Sequence, residues 1–213
     1  MKKSILNIFA IFIFVIFLTS ASTVSADTIY EGYICHGEWH TLGHKVMGYG
    51  VGDYGKNRRY YYESGFDSTY SNYIATAVSQ WVHTSNEGPH VKTSISIRKT
   101  TNKSLALFEF EKADLDSNIG GTTRYYLNQT EVTLERGALP KNYGWSKMFI
   151  NPSALQTIPE KHRIGTISHE LGHAMGLSHQ NLRPASIMCQ YKNGRTATRA
   201  DATDCNTINH LYG

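Results

Sequence analysis

The segment His169-Glu170-Leu171-Gly172-His173-Ala174-Met175-Gly176-Leu177-Ser178-His179 sets three histidines, a glutamate and a glycine at spacings that suit one metal ion. Histidines four residues apart on a helix stand one turn above the other, so His169 and His173 can reach the same ion. Glu170 adjoins the first of them and can meet a water at the metal without becoming a ligand. Gly176 can take the left-handed conformation that ends a helix and reverses the chain, which returns His179 as a third nitrogen. Three nitrogens and one open position describe a catalytic zinc site, whereas structural zinc sites are closed by four protein ligands. At this chain's own His, Glu and Gly frequencies, the pattern would arise by chance roughly once in ten thousand such chains. Chance is the weaker explanation.

A helix must carry the first two histidines. Thr157-Ile158-Pro159-Glu160 has the form of a capping box with Pro in the first turn. Ile164, Ile167, Leu171, Ala174 and Met175 then make one apolar face, with His169 and His173 turned about 200° away from Ile167 and Leu171. The expectation is a helix that buries one side and presents its histidines on the other. Ser186-Ile187-Met188 follows His179 at short range.

HExxHxxGxxH followed by a methionine in a tight turn resembles the metzincin proteases. Within them the wording His-Glu-Leu-Gly-His with Gly-Leu-Ser-His is most similar to the matrixins, and so is the ending Asp204…Ile208…Leu211-Tyr212-Gly213. The specific likeness covers about residues 158–213, and back to about Arg58 it is architectural. It implies an α+β zincin domain with a twisted mixed sheet packed on two long helices and a Met-turn under the zinc. It implies His169, His173 and His179 as ligands of one catalytic zinc, and Glu170 as general base in hydrolysis of peptide bonds. Substrate would lie extended between the sheet edge and the zinc helix, and the loop from Cys189 to Cys205 would border the pocket just after the cleaved bond. Gln180 stands where matrixins typically have Ser, the cysteine-switch motif of their propeptides is absent, and Tyr191 lies three residues past Met188 rather than two.

The rest of the chain sets the frame. It has 213 residues, 40% hydrophobic and 18% charged, which suits one packed domain and excludes a disordered chain. The net charge of +4 is spread rather than clustered, so nucleic acid is not an expected partner. Lys2 and Lys3, the apolar run Ile5 to Leu18 and the small residues Val24-Ser25-Ala26 read as a secretory signal over residues 1–26, too short for a membrane span. Residues 27–54 form a Gly-, Tyr- and His-rich lead-in, and residues 55–213 the catalytic domain. The product is expected to be a secreted monomer acting on proteins or peptides. The alternative is a secreted zinc-binding adhesion or binding module without catalysis, against which an intact Glu170 counts.

Asp67 or Ser68 caps an amphipathic helix through Tyr70, Tyr73, Ile74, Ala77, Val78, Trp81 and Val82. Arg58–Glu63, Val91–Ile97 and Leu105–Glu111 read as strands, with Tyr125–Leu127, Val132–Leu134 and Trp145–Ile150 weaker. In a secreted chain, Cys189 and Cys205 are expected to form a disulfide across a polar loop, worth about 3 kcal/mol. Cys35 is left as a free thiol, a competing partner, or a zinc ligand that holds the enzyme latent. His36, His40 and His44 share the four-residue spacing but lack a helix cap or a glycine turn. Asp114, Asp116 and Asn118 alternate as calcium ligands would, without the Glu of an EF-hand loop, so a solvated turn is the stronger reading. Lys192, Arg195 and Arg199 read as solvated charges.

Overall fold

The computed structural model describes residues 28–30, 33–35 and 39–213. The expected secretory signal of residues 1–26 and His36 lie outside them. So does the Cys35 side chain, of which only the backbone is described. No helix among the described residues is long and apolar enough to cross a membrane.

Strands β1 (Thr28–Tyr30) and β2 (Tyr33–Cys35) form a small antiparallel pair. The main sheet is six-stranded and mixed. It uses β3 (Arg59–Ser64), β4 (Ile97–Lys99), β5 (Phe108–Lys112), β6 (Gly121–Leu127), β7 (Thr130–Glu131) and β8 (Trp145–Ile150) in the order β4-β3-β5-β8-β6-β7. All pairings from β4 to β8 are parallel, and β6 runs antiparallel to β8. Beyond Tyr126 and Leu127, which β7 covers, the outer edge of β6 at residues 121–124 has no strand partner among the described residues.

Helix α1 (Ser68–Val82) starts where the Asp67 side chain accepts a hydrogen bond from Tyr70 N, and it buries Tyr70, Tyr73, Ile74, Ala77, Val78 and Trp81, the apolar stripe of the sequence. A short turn α2 (Pro152–Leu155) precedes α3 (Glu160–Ala174), and α4 (Ala202–Tyr212) closes the chain. The core between α1, α3 and the sheet is filled by Trp81, Phe108, Phe110, Met148, Ile167 and Leu171, all fully buried. Each such side chain contributes about 1.5–3 kcal/mol by leaving water. Leu42, Met47 and Val51 belong to the same core.

Four expectations need correction. The capping box at Thr157 does not form, because the Thr157 hydroxyl turns back to Ala154 O and α3 starts from Pro159 without a side-chain cap. The α3 helix is not half-exposed, since every residue from Gly165 to Ala174 is buried. Its second side is covered by the sheet and by aromatic hydroxyls, with Tyr125 donating to His173 O and Tyr143 to Ala174 O. Of Val91–Ile97 only Ile97 enters a strand. Residues 93–97 are buried on both faces because the 51–54 segment lies over them, with Ser96 N donating to Val51 O and Tyr54 N to Ser94 O. Leu105 ends a 3-10 turn and is exposed, so β5 begins at Phe108.

The expected disulfide is also absent. Cys189 and Cys205 are free, buried thiols. The Cys189 sulfur faces the carbonyls of Gln190, Asn181 and Asn193, whereas Cys205 sits in α4. The loop between them is held without a cross-link: Thr196 N donates to Pro184 O at 2.9 Å, and Arg183 pairs with Asp201 at 2.9 Å. Burial raises both thiols, and the Asp204 and Asp201 carboxylates add to the rise that takes Cys205 to about 12. Both therefore stay protonated, weak nucleophiles at neutral pH. Iodoacetamide at pH 7.5 is expected to spare both until the protein is unfolded, and reductant should leave the melting temperature unchanged. A Cys189–Cys205 peptide in a non-reducing map would contradict this.

Candidate metal centre

Two histidines come from the last turns of α3 and the third from the chain reversal behind it. Gly176 has φ of +98°, and a Cβ there would sit 2.8 Å from Lys45 O, so glycine alone suits both the turn and the close approach. The imidazoles of His169, His173 and His179 are 5–6% exposed. Their Nε2 atoms converge, with His169 3.1 Å from His173 and 3.2 Å from His179. Among the described residues this is the one group of three or more His, Cys, Asp or Glu arranged to hold an ion.

The tautomers follow from the outer partners. His169 Nδ1 is 2.8 Å from Ile187 O and His173 Nδ1 is 2.8 Å from Leu177 O. A carbonyl can only accept, so each Nδ1 carries the proton and each Nε2 turns a bare lone pair inward. Bare nitrogens cannot hydrogen-bond to one another, and a cation satisfies them. Tetrahedral zinc with Zn–N distances of about 2.0–2.1 Å would separate its nitrogens by roughly 3.3 Å, so the donor set fits. Burial holds all three imidazoles neutral: His169 is pushed far below its ordinary value, His173 to about 4 and His179 to about 2.

Glu170 lies on the sheet side of α3, 5% exposed. Thr123 of β6 donates to its Oε2 at 2.8 Å. Gly121, two residues earlier, leaves it room, since a Cβ there would stand 2.8 Å from Glu170 Cγ. Burial raises the carboxyl to about 7, with Thr123 and the Arg195 charge pulling it part of the way back. That value suits a group that takes and returns a proton near neutrality. Glu170 and His169 line one wall of a cavity of about 660 Å³.

Behind the triad runs a turn at Ser186–Met188. Gly172 of α3 admits the Met188 sulfur, which would lie 2.4 Å from any Cβ at that position. The turn hangs on Asp204, fully buried in α4. Asp204 Oδ1 accepts from Ser186 Oγ at 2.6 Å and from His40 Nε2 at 3.0 Å, and Oδ2 accepts from Ile187 N and Asp201 N, each at 2.9 Å. Burial would raise this carboxyl, but His40, Ser186 and the backbone donors outweigh it and hold it below the ordinary range.

All four site residues of the motif thus meet, and the others scatter. His40 serves Asp204, His44 pairs with His210 at 3.1 Å, and the two do not converge on a common point. Asp114, Asp116 and Asn118 are exposed. Lys192 is exposed and Arg199 half-buried, but Arg195 is 4% exposed and lines the cavity, against the solvated reading. Thr123 and Gly121 carried no signal in the sequence. Arg195 had one, a cation seven residues past Met188, within the loop expected to border the pocket.

Residues 142–213 match the family model of the matrixins, which are peptidases. Over this part the chain is similar to the matrixins. The chain is also similar to two solved structures of myroilysin. One has a TM-score of 0.38 at 13% identity, covering 65% of this chain and 56% of that one. The other has a TM-score of 0.44 at 11% identity, covering 81% of this chain and 94% of that one. The chain thus spans little more than half the length of the first. No curated protein matches it.

Removing the Asp204 charge should loosen the turn beneath the histidines. Asp204→Asn leaves donors facing donors, with an expected cost of about 3 kcal/mol in urea unfolding. The folded-state pKa is depressed, so its stabilisation is present above the ordinary carboxylate range and lost as pH falls below about 4. Wild type should lose stability in that window and the variant should lose less. Parallel pH profiles would refute the role given to Asp204.

Proposed function

We propose that the protein is a secreted zinc-dependent metalloendopeptidase in which His169, His173 and His179 hold one zinc ion. The reading is carried by the three converging Nε2 atoms, those of His169 and His173 proton-free, beside a buried carboxyl poised near neutrality. The matrixin-like match over residues 142–213 supports peptide hydrolysis as the chemistry, and the signal-like residues 1–26 support secretion. When bound, zinc supplies Lewis acidity toward a carbonyl and makes water a better nucleophile.

The chain's own groups do the rest. Ile187 O and Leu177 O fix the tautomers of His169 and His173, so no proton competes for the inner nitrogens. Glu170 takes the proton of the attacking water at its carboxylate and passes it to the leaving amine as the C–N bond breaks. Thr123 holds Oε2 in place for both transfers. The edge of β6 at residues 121–124, without a strand partner among the described residues, lies beside Glu170 and can add an extended peptide as a further strand. Ser186–Met188 serves as the Met-turn.

Glu170→Gln is expected to lower kcat by about 10²–10⁴-fold on denatured casein while bound zinc stays stoichiometric. His173→Ala should lose both metal and activity. Zinc content by atomic absorption beside the casein assay checks both. Full activity in Glu170→Gln, or stoichiometric zinc in His173→Ala, would sink the assignment.

A further inference from the structure

Arg195 is a buried cation with no carboxylate in ion-pair contact among the described residues. Only 4% of it is exposed. Its Nη2 donates to Thr166 Oγ1 at 2.9 Å and lies 3.5 Å from His162 O, and its Nη1 lies 3.5 Å from Cys189 O. Its Nε is buried and has no hydrogen-bond partner. All three acceptors are neutral, and no carboxylate forms an ion pair with Arg195 among the described residues. Burial lowers its pKa to about 10, which still leaves it charged at neutral pH. Taking a charge out of water costs several kcal/mol unless an opposite charge meets it. Folding supplies only the field of Glu170, with no carboxylate in contact.

The guanidinium lines the 660 Å³ cavity that Glu170 and His169 also line. The other charged groups on that wall are Lys192, at the exposed rim, and Glu170 itself. Two cations thus face one carboxyl whose work is proton transfer. Ile119, Leu155 and Ile158 supply apolar walls for the methylenes of a side chain. Because Glu170 hands its proton to the leaving amine, the space on its side of the histidines receives the residue that follows the scissile bond.

We propose that this cavity binds a side-chain carboxylate, so that the enzyme cleaves before glutamate or aspartate, with Arg195 as the specificity-determining residue. The proposal rests on the peptidase reading above and adds its substrate class. A cavity built for a charge-assisted hydrogen bond rejects the neutral analogue strongly, because the buried guanidinium is then left unpaired. Arg195 also ties its loop to α3 through Thr166 and His162, so a purely structural role would change all substrates alike.

The test uses peptides identical except for Glu, Gln or Leu after the cleaved bond, with zinc-loaded protein. Wild type is expected to favour Glu over Gln by about tenfold to a hundredfold in kcat/KM. In Arg195→Gln that ratio should fall toward one, and Arg195→Lys should keep part of it. Leu cleaved as well as Glu by wild type, or a ratio unmoved in Arg195→Gln, overturns the proposal. The wild-type ratio decides even if a variant does not fold. If zinc-loaded wild type cleaves no peptide, the peptidase reading has failed, and calorimetry with glutarate judges the site alone. Carboxylate bound at zinc contributes to both proteins equally, so at least tenfold tighter binding by wild type than by Arg195→Gln supports the cation site. Equal binding overturns it.

Discussion

The Asp204 carboxylate is the point at which three distant parts of the chain meet. It accepts hydrogen bonds from His40 near the start of the fold, from Ser186 and Ile187 in the turn after the triad, and from Asp201 at the head of its own helix. A fully buried carboxylate is tolerable only with such a set of donors, and each lost donor would leave charge unsatisfied. The consequence passes to the histidines. Ile187, whose amide Asp204 holds, turns its carbonyl to His169 Nδ1, and His40 accepts from Ser178 N beside His179. The positions of two of the three imidazoles thus depend on one anion that touches neither.

Close approach is the second constraint. Gly121, Gly172 and Gly176 stand where a Cβ would strike Glu170, Met188 and Lys45 O respectively. Each sits at a junction between α3 and something it must touch: the sheet, the turn behind the histidines, and the N-terminal segment. Burying residues 165–174 of α3 on all sides follows from these contacts, and it explains why its two histidines are dry and neutral rather than exposed on a polar face.

Burial also sets the charge balance of the cavity. Glu170 is raised toward neutrality and Arg195 is lowered, each by desolvation and each partly restored by the other's field. They are not in contact as an ion pair, so neither cancels the other. One is left available for protons and the other for an anion.

The local chemistry was legible from the sequence because it depends on short-range geometry. Helical stacking four residues apart, and a glycine able to turn left-handed, bring His169, His173 and His179 together whatever surrounds them. The stripe of α1 and its Asp67 cap were legible for the same reason. What tertiary structure alone decided involves partners far apart in the chain. The alternation from Val91 to Ile97 suggested one wet face, but the 51–54 segment covers it. His36, His40 and His44 share the four-residue spacing without a cap or glycine turn, and the fold gives His40 a different task, a carboxylate 164 positions away. Cys189 and Cys205 bracket a loop, but the loop is held by Pro184, Asp201 and Thr166, and the thiols face different neighbours. Arg195 read as a solvated charge because residue type favours water. Only the packing of its loop against α3 removes that water, and desolvation is a property of the assembled fold rather than of any stretch of sequence.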